Sequence, residues 1–72
     1  MKYTQLKFYI SSGEFKTNSE TGLNSYSKNR LYDVGYMKFM YVDSDKLEAG
    51  KKKFKKDLLK HYNSLIAEIE KI

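Results

Sequence analysis

The sequence contains no cysteine and no proline, and only one histidine and one arginine. Each absence removes an option. Without cysteine there is neither a disulfide nor a thiolate metal site to brace the chain, and a reducing compartment is the natural expectation. Without proline there is no proline-rich linker, and no repeat marks a second domain. One histidine, His61, and one arginine, Arg30, cannot assemble a metal centre, nor the constellation that a tyrosine nucleophile needs around it. The four glycines, Gly13, Gly22, Gly35 and Gly50, are scattered and form no phosphate-binding loop. No stretch approaches the ~18 apolar residues of a membrane-spanning helix. The start, Met1-Lys2-Tyr3-Thr4, alternates polar with apolar residues and lacks the apolar run of a signal peptide. These absences predict a soluble, cytoplasmic protein that is not an enzyme, holds no cofactor or metal and makes no membrane contact.

What is present fits one α+β domain over residues 1–72, with a small antiparallel sheet of three to four strands packed against one long C-terminal amphipathic helix. A chain of 72 residues buries a modest fraction of its surface and has a thin stability margin. From Lys2 to Ile10 the alternation puts Leu6, Phe8 and Ile10 on one face of a strand and Tyr3, Gln5, Lys7 and Tyr9 on the other. Ser11-Ser12-Gly13 is a turn signal, leading into a short second strand around Glu14 to Thr17. Residues 18–29 surround only Leu23 and Tyr26 with polar side chains and read as a long exposed loop. Strand chemistry resumes from Arg30 to Val42, interrupted at Gly35 by a bulge or a turn. Beyond it Met37, Phe39 and Tyr41 point one way, and Tyr36, Lys38, Met40 and Val42 the other. Asp43-Ser44-Asp45 supplies N-cap oxygens, and Asp45 with Glu48 has capping-box spacing. From Asp45 to the end, Leu47, Phe54, Leu58, Tyr62, Leu65, Ile66, Ile69 and Ile72 form one helical stripe. Gly50 inside it permits close packing on a strand or marks a bend, and Lys51 snorkels outward from the apolar side.

The formal charge is +5, and its placement is more informative than its size. Residues 1–50 carry seven basic against six acidic side chains, and residues 62–72 carry Lys71 against Glu68 and Glu70. Lys51 to His61 carry six lysines against Asp57 alone, so the excess is confined to about three helical turns. On the outer face, Lys46, Ala49, Lys53, Lys56, Lys60, Asn63, Ala67 and Lys71 recur at three- and four-residue steps. Lysines so spaced lie ~5–6 Å apart, a reach suited to successive phosphates. The same row also reads as a solvated face, with Glu48–Lys52 and Asp57–Lys53 or Asp57–Lys60 as ordinary helix ion pairs.

Two smaller features complete the inventory. Tyr3, Lys7 and Tyr9 combine rings with a cation, as in stacking platforms for single-stranded nucleic acid, and equally as in cross-strand aromatic pairs that stabilise a sheet. His61 lies four residues after Asp57, which reads as a helix ion pair or a packed histidine.

The basic character and the order of elements, sheet then helix, resemble the arm-type DNA-binding domains of some tyrosine recombinases. That resemblance implies a sheet docked into the major groove.

Two readings of function stand side by side. In the first, a basic binding module contacts nucleic-acid phosphates through Lys46, Lys52, Lys53, Lys56 and Lys60, aided by Lys7, Arg30 and Lys38. With a single arginine it has little means of reading guanine. In the second, a protein-binding inhibitor or modulator engages an acidic or nucleic-acid-associated host protein complex through Tyr3, Tyr9, Tyr36 and Met40. The richness in Lys, Tyr, Asn, Ile and Phe, whose codons are rich in A and T, points that second reading to a phage or mobile element. A homodimer is compatible with both.

Overall fold

Strict alternation makes β1, Tyr3–Tyr9, a strand with one wet and one dry face: Thr4, Leu6 and Phe8 are buried, while Tyr3, Gln5, Lys7 and Tyr9 are half-buried on the other side. The computed structural model describes residues 2–23, 25–62 and 65–72. β2 is Phe15–Glu20, β3 is Tyr32–Asp33 and β4 is Met37–Asp43. They form one antiparallel sheet of order β2-β1-β4-β3. A turn of 3-10 helix, Ser44–Lys46, leads into α1, Leu47–His61, and a short α2, Ile66–Glu70, follows. The chain is an α+β unit.

β2 runs further than the hydrophobic pattern indicates, reaching Glu20. Its middle residues are exposed on both faces, so no apolar alternation announces it. Its register against β1, from Phe8↔Phe15 to Tyr3↔Glu20, holds it in place. The loop therefore begins after Glu20, and Asn24 lies outside the described residues. The loop is not simply exposed. Tyr26 lays its ring over the sheet, Asn29 N–H donates to Tyr41 O at 2.7 Å, and Ser27 N–H donates to Tyr32 Oη at 2.8 Å. Gly35, at φ 93°, makes the tight turn between β3 and β4 rather than a bulge.

The register also decides which face of β4 is core. Leu6 lies opposite Met40, Thr4 opposite Val42 and Phe8 opposite Lys38, so Met40, Val42 and Lys38 share the face covered by α1. The core is Leu6, Phe8, Met40, Val42, Phe54, Leu58 and Ile69. Met40 is fully buried, which overturns its assignment to a protein interface. Both faces of β4 are covered, and the residues turned away from the helix are Phe39 and Tyr41.

The predicted single long helix is corrected. α1 ends where Tyr62 turns extended (φ −128°, ψ 133°), and Leu65 takes a left-handed conformation (φ 59°) before α2 begins. Length explains the break. The seven-residue strands β1 and β4 span about 23 Å, and the fifteen residues of α1 rise about 22 Å. A straight helix to the chain end would overhang the sheet and leave Leu65, Ile69 and Ile72 in water. The break folds Ile69 into the core and packs Leu65 and Ile72 against it, against roughly 1–2 kcal/mol for a non-glycine residue in the left-handed region. Ile66, expected in the core stripe, is instead 46 % exposed. Lys55 Nζ donates to Glu70 O at 3.0 Å and ties the two helices together.

The predicted capping box is absent. Asp45 lies inside the 3-10 turn, so Lys46 and not Asp45 is the N-cap of α1, and neither Lys46 nor Asp43, which precedes the turn, makes a side-chain cap. Asp43 accepts instead from Lys28, and Ser44 Oγ is 2.9 Å from Thr4 Oγ1.

Candidate nucleic-acid interface

α1 turns Gly50, Phe54 and Leu58 to the sheet, so its opposite side carries Ala49, Lys52, Lys53, Lys56, Leu59 and Lys60, all exposed. Two carboxylates lie on this helix. Glu48 pairs with Lys51 at 3.9 Å, and Asp57 pairs with Lys53 at 3.4 Å. Lys52, Lys56 and Lys60 have no carboxylate partner among the described residues. They follow one another at four-residue steps and form a ridge of ammonium groups along the helix. Leu59, exposed among them, adds an apolar spot between Lys55, Lys56 and Lys60. Lys51 behaves as its position predicts: half-buried, it lies 6.0 Å above the Phe15 ring. Of the outer row, Asn63 lies outside the described residues.

A groove of about 310 Å³ runs along the flank of α1 nearest the loop, lined by Lys28, Asn29, Asp43, Lys46, Ala49 and Lys53 among others. Composition gave no hint of Lys28, which comes from the loop. Its ammonium sits 3.0 Å from Asp43 Oδ2, and that hydrogen bond, with the carboxylate's charge, raises its pKa above the ordinary lysine value. The second carboxylate oxygen, Asp43 Oδ1, is buried and has no hydrogen-bond partner among the described residues.

Other predicted contacts fall elsewhere. Lys38 is corrected: it is 4 % exposed, and its ammonium is held by Asp33 Oδ1 at 2.5 Å and Gly35 O at 3.0 Å, 5.2 Å from the Tyr62 ring. It braces the β3–β4 turn and does not reach the surface. In return, the hydrogen bonds from Lys38 and then from the Gly35 N–H lower the pKa of Asp33 below the usual carboxylate range. Lys7 is half-buried on the sheet face away from α1, so a ligand lying along the lysine ridge cannot touch it. Arg30 is exposed and stands 5.6 Å over the Tyr32 ring. His61 is exposed at the mouth of a cleft shared with Leu31, Asp33, Lys38 and Tyr62.

The open sheet face holds what periodicity did not reveal, a cluster of Tyr26, Tyr32, Phe39 and Tyr41. Tyr26 sits 5.0 Å from Tyr32, 5.3 Å from Phe39 and 5.4 Å from Tyr41, edge-on to the first two and stacked on the third. Burial, more than the nearby charges of Glu20 and Tyr26, raises the Tyr41 pKa. Tyr3 and Tyr9 are half-buried on the same face. Tyr36 is 66 % exposed and stacks loosely on Tyr9, at 6.5 Å.

Comparison with protein-family models, with curated proteins and with solved structures finds no match to this chain. The likeness to arm-type domains therefore carries no further argument, and the surfaces themselves must. No helix among the described residues is long and apolar enough to cross a membrane.

Proposed function

We propose that this chain is a cytoplasmic, non-enzymatic binding module whose α1 ridge contacts nucleic-acid phosphates. The observation that carries the reading is the ridge of Lys52, Lys56 and Lys60, exposed and unneutralised among the described residues. Lys46 and Lys53 flank it along the groove. Ala49 keeps one stretch of the surface low, so that a backbone can approach. Contacts of this kind give affinity and salt dependence with little choice of sequence. Arg30 lies away from the ridge, so the chain's only guanidinium is not placed to read a base there.

The deciding experiment is fluorescence anisotropy of labelled duplex DNA, single-stranded DNA and RNA over a range of salt. Log affinity is expected to fall linearly with log salt, with a slope near about −0.9 per duplex phosphate contacted. Lys52→Glu, Lys56→Glu and Lys60→Glu together should abolish binding without changing the circular dichroism, and Lys7→Glu on the opposite face should not. Unaltered affinity in the folded triple variant would refute the reading.

A second reading rests on a different surface. Val34, 47 % exposed, and Tyr36 project from the β3–β4 turn beside Tyr9, an apolar tip of the sort that anchors protein interfaces. In this reading the chain belongs to a phage or mobile element and modulates a host protein complex. Tyr36→Ala would then abolish complex formation and the triple lysine variant would not.

A further inference from the structure

β2 is an edge strand, and its backbone faces outward in a definite pattern. Tyr9 N–H donates to Glu14 O at 2.9 Å, while Ile10 N–H donates to Tyr36 O at 3.1 Å. Odd-numbered residues of β1 therefore bond to β2, and even-numbered ones to β4. Carried along the register Phe8↔Phe15 to Tyr3↔Glu20, Lys16, Asn18 and Glu20 turn their amides and carbonyls inward to β1. Phe15, Thr17 and Ser19 turn theirs to solvent. Of the usual protections of an edge, β2 carries charge, in Lys16 and Glu20, but there is no proline, the register with β1 has no bulge, and no further strand lies beyond β2 among the described residues. The opposite edge differs, since β3 is two residues long and Lys28 bridges to Tyr41 beyond it.

The side chains of β2 are self-complementary about Asn18. In an antiparallel pairing of two β2 strands centred there, Lys16 lies opposite Glu20 of the second copy, and Glu20 opposite its Lys16. Both are non-hydrogen-bonded pairs, whose side chains approach most closely. Thr17 lies opposite Ser19, with their outward N–H and C=O groups exchanging hydrogen bonds in both directions. Neighbouring registers lose this match. Centring on Thr17 sets Glu14 against Glu20, and centring on Lys16 sets that lysine against its own copy.

We infer that β2 joins two copies of this chain edge to edge, in a two-fold antiparallel pair centred on Asn18. The four-stranded sheet becomes one continuous sheet of twice the width. Both copies of α1 lie on the same side of it, so their lysine ridges face one way.

Sedimentation equilibrium of the purified chain at low salt tests this. A monomer–dimer equilibrium is expected. Glu20→Lys weakens it by about tenfold, because the two-fold axis applies each like-charge pair twice. Lys16→Glu does the same, although it also removes contacts within the monomer, to Glu14 at 3.5 Å and over the Tyr9 ring at 5.6 Å. The combined exchange, Lys16→Glu with Glu20→Lys, restores the parental affinity. Thr17→Pro deletes an outward N–H that the monomer does not use, and it should abolish the dimer with the circular dichroism unchanged. A chain that is monomeric at every concentration overturns the inference. So does a dimer indifferent to these variants, or one that the combined exchange fails to restore.

Discussion

Gly50 of α1 lies directly against Val42 of β4: a Cβ at Gly50 would meet Val42 Cγ1 at 2.6 Å and Cβ at 2.7 Å. The glycine sets how closely the helix approaches the sheet. Gly50→Ala gains about 1 kcal/mol in helix propensity but must push α1 off a buried, rotationally stiff valine, an overpacking cost of about 1–3 kcal/mol. A net loss of roughly 1 kcal/mol is expected in urea unfolding. In a Val42→Ala background the clash is gone, and Gly50→Ala should become neutral or stabilising.

The break between α1 and α2 separates two isoleucines that one continuous helix would have made equivalent. Ile69 is fully buried and Ile66 is largely exposed. Ile69→Ala should cost about 2–5 kcal/mol, as buried aliphatic truncations do, and Ile66→Ala within about 0.5 kcal/mol of nothing. Equal costs would restore the straight helix.

Tyr26 pins its loop to the sheet by aromatic contacts that it alone supplies from the loop side. Tyr26→Ala should destabilise by roughly 1–3 kcal/mol and move the Tyr41 pKa back toward its ordinary value, near about 10. The sign follows from linkage. A tyrosine whose folded pKa is raised contributes stability that is complete below the unfolded value and lost as pH rises through the folded one. Spectrophotometric titration should show one phenol ionising late in the parent and early in the variant.

Lys38 and Asp33 are unequal partners, since the lysine is buried and the carboxylate largely exposed. Asp33→Ala leaves a buried ammonium with Gly35 O as its remaining hydrogen bond, whereas Lys38→Met removes the charge and keeps the stem. The first should destabilise more than the second. A carboxyl with a lowered folded pKa contributes stability that is complete above its unfolded value, about 3.9, and lost as pH falls through the folded one. The protection of the Gly35 amide, measured against its intrinsic exchange rate at the same pH, should fall in that acid range and hold at neutral pH.

Much of the fold is legible from the residues because periodicity reports local geometry. The faces of β1, the partition of β4 into alternate sets and the core positions Phe54, Leu58 and Ile69 all follow from spacing, whereas Gly35 reads equally as a bulge or a turn. What spacing cannot report is pairing. Which face of β4 meets the helix depends on Leu6 lying opposite Met40, a contact between distant segments, so Met40 and Lys38 read as exposed until the register is known. β2 is polar on both faces and leaves no pattern beyond Phe15. Tyr26 looks like a loop residue because its partners, Phe39 and Tyr41, come from another strand. The end of α1 is set by the length of the sheet, which no single segment encodes. The lysines of α1 were readable because a charge excess at helical spacing needs only the helix to place it.

The strand order has a consequence for how the chain acquires its structure. β1 and β2 are neighbours joined by a short turn and can form a hairpin locally, but the central pair is β1 with β4, bringing Leu6 to Met40. Closing that long loop costs chain entropy before any central contact repays it, and contacts so distant slow folding. Phe8 sits in the first strand, while Phe54 and Leu58, which pack with it, come from α1. Until α1 docks, β1 presents the apolar face of Leu6 and Phe8 without a roof, and the neighbour it can acquire locally is the polar β2.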